Sequence, residues 1–143
     1  MFCGIQGSGK TTFHLERYAS THVRISLDLL RTRHREAVFL AACLETRQPF
    51  VVDNTNPTVA DRSRYVGPAL EAGFRVVALW FDSGPGEAIE RNAARLGRQR
   101  IPVHSIVGTH RRLEVPTVAE GFHDVFRVRI GPDGGFVVDQ MPP

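Results

Sequence analysis

Lysine is almost missing from this 143-residue sequence: of 18 basic residues 17 are arginine, and the single lysine is Lys10. Cysteine is scarce as well. Cys3 and Cys43 sit in unrelated segments and no CxxC or Cys/His spacing accompanies them, which argues against a disulfide framework and against structural zinc, and predicts two buried thiols. No apolar run approaches the ~18 residues of a membrane helix, and the N-terminus lacks the basic region and apolar core of a signal peptide. No membrane partner and a cytoplasmic location are therefore expected. No long polar or low-complexity tract is present, so a folded chain is expected, and the length suits one domain over residues 1–143. Acids are absent from residues 91–113, which hold six arginines and two histidines. Something anionic is expected to meet that segment, the plain alternative being a solvated helix face.

What is present alternates between strand and helix, the pattern of an α/β domain with a parallel sheet. Residues 1–3 form a strand stub, 10–19 a helix, 23–27 a strand, and 29–46 a longer helix with apolar residues at helical spacing. Residues 50–53 read as a buried strand, followed by a turn at Asn56-Pro57-Thr58 and a helix to Ala72 that stops at Gly73. Residues 74–81 are the most apolar strand and should be central. Helices are expected over 85–96 and 102–113 around Ile101-Pro102, and a terminal hairpin from 125–130 and 136–138 around Gly131–Gly135. Three residues before the first loop are fewer than the roughly five of a typical strand, from which we expect that the chain starts too late.

Gly4-Ile5-Gln6-Gly7-Ser8-Gly9-Lys10-Thr11 matches GxxxxGK[ST] between a strand stub and a helical pattern, the context that a P-loop requires. The glycines, Gly4, Gly7 and Gly9, let backbone N–H groups converge on phosphate oxygens together with Ser8, Thr11 and Thr12, and the following helix presents its positive end. Lys10 is expected to reach the β and γ phosphates and Thr11 to offer its hydroxyl to Mg²⁺. Arginine evidently serves almost everywhere else in the chain. A compact ammonium is not interchangeable with a planar guanidinium where a tight loop wraps phosphate, so the position of the one lysine supports this reading.

An acceptor side must be read elsewhere. Asp28 follows the strand 23–27, at the carboxyl end where open α/β sheets hold ligands; it could take a proton from an acceptor hydroxyl, or simply cap the next helix. Arg31, three residues on, shares a helical face with it and could hold an acceptor phosphate, although spacing alone favours a surface pair with Asp28. Asp53 ends an apolar strand as a Walker B carboxylate does, with a capped turn through Asn54, Thr55 and Asn56 as the alternative. Arg91 and Arg95 lie four apart, on one helix face, in a segment continuing through Arg98 and Arg100. Such a segment, within about 91–113, could close as a lid that neutralises the γ phosphate and excludes water. Trp80 and most phenylalanines read as core, and the six histidines show no ligand spacing.

Together these segments resemble the kinase domain of the polynucleotide 5′-hydroxyl kinases, the end-healing enzymes that phosphorylate DNA or RNA 5′ ends. Besides Gly4–Thr11, the resemblance rests on Leu27-Asp28-Leu29-Leu30-Arg31, on Val51-Val52-Asp53-Asn54-Thr55-Asn56-Pro57 with Arg62-Ser63-Arg64-Tyr65, and on Arg91-Asn92-Ala93-Ala94-Arg95. Ile101-Pro102-Val103 and Pro116-Thr117-Val118-Ala119-Glu120-Gly121-Phe122 are similar to its closing segments. It implies a three-layer, kinase-like P-loop NTPase fold with a parallel central sheet and a helical lid, using ATP and Mg²⁺. It further implies Asp28 as general base, Arg31 on the acceptor's 3′ phosphate, Lys10 and Arg95 on the β and γ phosphates, Arg91 supporting the lid, and Asp53 organising the acceptor site. Two departures stand out. Leu27 replaces a frequent arginine, and no phosphatase or ligase module is present, from which a standalone enzyme or one working with separate repair proteins is expected. The alternatives are a kinase for a small-molecule hydroxyl and, further off, a non-catalytic ATP-binding module.

Overall fold

The computed structural model describes residues 1–143, apart from the side chain of Arg98. Six strands and six helices alternate: β1 (Phe2–Cys3), α1 (Lys10–Arg17), β2 (Val23–Ile25), α2 (Leu27–Leu30), α3 (Arg33–Thr46), β3 (Phe50–Val52), α4 (Val59–Glu71), β4 (Val77–Phe81), α5 (Pro85–Ala93), α6 (Val103–Arg112), β5 (Asp124–Ile130) and β6 (Phe136–Gln140), with short 3₁₀ turns at Gly97–Gln99 and Val118–Glu120. Strands β1, β4 and β5 pair in parallel and β6 returns antiparallel to β5; β2 and β3 form a separate parallel pair. Two hydrogen bonds bring the end of β3 against β1: Gly4 N donates to Thr55 O at 2.9 Å, and Asn56 Nδ2 donates to Phe2 O at 2.7 Å.

Strand alternation shows helices on both faces of the sheet. Leu79, Phe81 and Val128 point to one side and pack with Phe2 and with Phe13 of α1. Their neighbours Ala78 and Val125 point to the other side and pack with Val66 and Ala69 of α4. Phe2, Phe13 and Phe81 meet edge to face at 5.0–5.9 Å between ring centres, a geometry that suits their quadrupoles. Both cysteines are free and buried, as expected. A cavity of about 440 Å³, lined by Met1, Phe13, Tyr18, Phe50, Phe74 and Val77 among others, lies where strands begin. In an open α/β sheet ligands bind at the other end, where the strands finish.

Several element boundaries differ from the sequence expectation. The helix expected over 29–46 is two helices, because Arg31 takes a left-handed conformation (φ 72°) and ends α2. Thr32 then restarts the chain as an N-cap, its hydroxyl accepting from Arg35 N at 3.2 Å. The second strand stops at Ile25 and the fourth begins only at Val77. Ahead of β4, Phe74 N donates to Ala69 O at the end of α4, and Val76 N donates to His123 Nδ1. Gly73 does terminate α4, with φ 81°, and the terminal hairpin forms as expected.

One buried ion pair holds the β3–α4 connection to the C-terminal third. Arg62 is fully buried and grips both carboxylate oxygens of Glu120, at 2.6 and 2.8 Å. Its remaining nitrogen donates to the carbonyls of Asn56, Pro57 and Glu114. Removing one partner of such a pair strands the other without water. Arg62→Ala should therefore lower unfolding stability by about 3–5 kcal/mol, read from urea midpoints; a loss under about 1 kcal/mol would show that the pair is not a fixed joint.

Candidate active site

The loop from Gly4 to Thr11 joins β1 to α1 and wraps the side chain of its own lysine. Gly7 (φ 74°) passes so close to α5 that a Cβ there would lie 2.7 Å from Ala88 O, and Gly9 (φ 93°) turns the chain into the helix. With Gly9 at the N-cap and no acidic residue in the first turn, the amides of Lys10, Thr11 and Thr12 open α1 without side-chain acceptors. They form a ready anion site, strengthened by the helix dipole.

Lys10 is buried, at 9% exposure, and among the described residues no carboxylate pairs with it. Its ammonium donates to Gly4 O at 2.9 Å, Ile5 O at 2.6 Å and Ser8 Oγ at 3.3 Å. Burial pushes its pKa down to about 8, with Asp53 and Asp28 raising it and Arg95 lowering it further. Asp53 acts most strongly on it, then Arg95, and Asp28 least. Of the three, Asp53 alone has an unbroken hydrogen-bonded link to the loop among the described residues.

Asp53 is buried beyond the end of β3. Its Oδ2 accepts from Thr11 Oγ1 at 3.2 Å and from Arg24 Nε at 2.8 Å, while Arg24 Nη2 donates to Thr11 Oγ1 at 3.3 Å. Its carboxylate is thus turned to the P-loop side. The hydroxyl and carboxylate form an oxygen donor pair that fits a hard cation keeping most of its waters and drawing other ligands from phosphate. Among the described residues no group of three or more His, Cys, Asp or Glu could hold a metal by itself, so such an ion would need the phosphates to complete its shell. The Arg24 guanidinium covers this oxygen pair and stands in for a cation there. Sequence reading missed Arg24, although an arginine between Val23 and Ile25 in a strand of a parallel sheet was a visible signal, since such strands are commonly buried on both faces.

Asp28 lies in α2, exposed and without a hydrogen bond among the described residues. Ser26 occupies the N-cap position of α2 and Thr32 that of α3, so Asp28 caps neither helix. A partly buried network fixes the position of α2: Asn54 Oδ1 accepts from Leu27 N at 2.9 Å, and Asn54 Nδ2 donates to Glu36 Oε2 at 2.9 Å. Tyr65 donates to Glu36 Oε1 at 3.0 Å, and Arg33 Nη1 donates to both Glu36 and Tyr65. Burial, with Glu36 beside it, pushes the Tyr65 phenol up. Nothing in the sequence marked Glu36, since a single acid within a polar helix start has no periodic signature.

Arg31 is exposed, and the surface pair expected with Asp28 is not formed: α2 ends at Leu30, so the shared helical face does not exist. A parallel correction applies to the lid. α5 ends at Ala93, so Arg91 and Arg95 are not neighbours on one helix face. Arg91 Nε donates to Gly7 O at 2.5 Å, and its guanidinium also bonds Ser83 Oγ, tying α5 to the P-loop. Arg95 is half-buried, with one bond of 3.4 Å to Gln99 O, in the 94–102 connection between α5 and α6. Arg100 is exposed, and Arg98 lies outside the described side chains.

With this geometry in view, a family profile described as an AAA domain (AAA_33) matches residues 1–116. The chain belongs to this AAA-domain family. Its fold is that of the P-loop kinases, and two solved structures carry the same architecture. Chaetomium thermophilum Kti12 in complex with ADP-AlF3 superposes with a TM-score of 0.67 at 19% identity, over 93% of this chain and 90% of that one. A gluconokinase from Sinorhizobium meliloti 1021 gives 0.61 at 22% identity, over 91% and 81%. A curated relative, the bifunctional polynucleotide phosphatase/kinase of Schizosaccharomyces pombe, is 26% identical over 129 residues, which is 87% of this chain. This AAA domain spans about a third of that relative's length, 32%.

The depressed pKa of Lys10 makes a pH test possible. Anionic phosphate favours the charged ammonium, so nucleotide affinity should be flat below about pH 8 and fall above it by up to tenfold per unit, as protons must be taken up on binding. Calorimetric titration of ADP from pH 6.5 to 9.5 measures this. A slope that persists in Lys10→Ala would assign the dependence to another group.

Proposed function

We propose that this AAA domain is an ATP-dependent kinase that transfers the γ-phosphate to the 5′-hydroxyl of DNA or RNA. The observation that carries the reading is Asp28: a carboxylate with no hydrogen-bond partner among the described residues, exposed past the end of β2, within the electrostatic field of the P-loop lysine. The likeness to an enzyme named polynucleotide phosphatase/kinase supports the acceptor class. The likeness to gluconokinase and Kti12, at 22% and 19% identity, supports the fold and says nothing of the acceptor.

In the proposed reaction the acceptor oxygen forms a bond to the γ-phosphorus while the bond to the β–γ bridging oxygen breaks. The hydroxyl proton passes to Asp28, and ADP leaves. The amides of Gly7 to Thr12 and the Lys10 ammonium hold the β and γ phosphates, and Arg95 adds positive charge as the 94–102 connection closes over them. Arg91 supports this by holding α5 to Gly7. Thr11 and Asp53 would hold Mg²⁺, which would supply further neutralisation of the phosphate oxygens. Arg31, at the end of α2, takes the acceptor's 3′ phosphate. Most of the rate comes from positioning and charge neutralisation, since phosphoryl transfer needs little covalent help from the protein.

Incubation with Mg²⁺ and γ-labelled ATP against 5′-hydroxyl oligonucleotides should label the oligonucleotide. Asp28→Asn should cut kcat about 10²–10⁴-fold while leaving ADP affinity within a factor of about two. Label on sugars or nucleosides alone would retain the kinase and overturn the nucleic-acid acceptor. An unchanged rate in Asp28→Asn would remove Asp28 as the base.

A further inference from the structure

α3 begins beside the acceptor side and then exposes an apolar flank that the described residues leave uncovered. Its buried residues are Glu36, Leu40 and Cys43. Away from them, Arg35, Val38, Phe39 and Ala42 recur at i, i+3, i+4 and i+7 and share one side of the helix, all exposed. Val38 is 53% exposed and Phe39 48%, and next to Asp28 on α2 Leu29 is 60% exposed. Valine and phenylalanine thus stand side by side on the solvent side of the helix, with alanine one turn beyond.

The head of this flank is basic. Residues 31–35 hold Arg31, Arg33, His34 and Arg35; Arg33 pairs with the buried Glu36, which leaves Arg31 and Arg35 as exposed arginines without an ion pair among the described residues. Arg35 places one nitrogen on Leu30 O, 3.4 Å away at the end of α2, which leaves its other N–H groups free to donate. Phe39 follows one helical turn later, about 6 Å along the axis. A guanidinium next to an exposed aromatic ring suits a polymer that presents an anionic group and a flat apolar face at each repeat, and single-stranded nucleic acid is that polymer. A protein partner would be expected to meet an apolar flank without so basic a head.

We propose that this flank of α3 is the docking track for the single strand that trails the 5′ nucleotide, with Arg35 taking a backbone phosphate and Phe39 stacking on a base. The proposal rests on the kinase reading above and extends it from the reacting nucleotide to the strand behind it. It also supplies an aromatic platform from a chain whose phenylalanines mostly read as core, because exposure of a phenylalanine is decided only when its helix packs.

The test compares KM for a nucleoside 3′-phosphate with KM for single-stranded DNA 5′-hydroxyl oligomers of two, four and eight nucleotides, using the full chain with Mg²⁺ and ATP. In the wild type KM should fall with length. Phe39→Ala should raise the KM for the eight-mer about tenfold relative to that for the nucleoside 3′-phosphate, with kcat on both acceptors moving together. Phe39→Trp should restore the length dependence, and an abasic site in the second or third position should mimic the alanine variant. A KM independent of length in the wild type, or a Phe39→Ala enzyme that keeps the full length dependence, would overturn the track and leave the kinase standing. Loss of a dimer in Phe39→Ala with no change in length dependence would assign the flank to self-association instead. Absence of transfer to every 5′-hydroxyl acceptor would overturn both readings together.

Discussion

An ammonium group buried without a carboxylate in contact has to be solvated by the backbone, and the P-loop does this for Lys10 with the carbonyls of Gly4 and Ile5 and the hydroxyl of Ser8. This arrangement is costly when unliganded, as the lowered pKa of the side chain records, and it is what leaves the site electrostatically hungry for phosphate. Much of the surrounding packing keeps the loop tight enough to sustain it. Gly7 rests on α5, Arg91 reaches back to Gly7 O, and Gly4 is tied to Thr55. Loosening any of these would let water reach the lysine and relieve the desolvation that makes it useful.

A second polar system works on the opposite side of the cleft. Asn54, Glu36, Tyr65 and Arg33 are bonded to one another, and they reach α2 through the amide of Leu27. That amide precedes Asp28 directly, so the network sets where the exposed carboxylate stands without touching it. Buried polar networks of this kind contribute rigidity only when every member is satisfied. Arg62 with Glu120 has the same role in the layer outside this network, holding the carbonyls of Asn56 and Pro57 and hence the loop that carries Asp53 and Asn54.

Between the two systems lies the triangle of Thr11, Asp53 and Arg24. It joins the first turn of α1 to the ends of β2 and β3 and so couples the phosphate side to the strand that leads into α2. Thr11 and Asp53 are the residues that would hold a divalent ion in the proposed reaction, and in this structure the Arg24 guanidinium bonds the same two oxygens.

The P-loop was legible in the sequence because its chemistry is local: eight consecutive residues set the glycine conformations, the lysine and the helix start, and the strand-to-helix order followed from apolar periodicity and turn residues. Asp28, Arg31, Asp53, Arg91 and Arg95 were legible as candidates for the same reason, each sitting at a strand end or in a recognisable short pattern. Their relations were not. The turning of Asp53 toward Thr11, the burial of Glu36 and the reach of Arg91 to the P-loop all depend on contacts between residues that are far apart in the chain, such as Arg24 with Asp53, Tyr65 with Glu36 and Arg91 with Gly7. Local propensity cannot see such contacts, because a helix ends or a side chain turns wherever the packed whole satisfies the most buried polar groups. The sequence by itself determined the phosphate loop and the order of elements, and only the tertiary structure decided which charges face one another across the cleft.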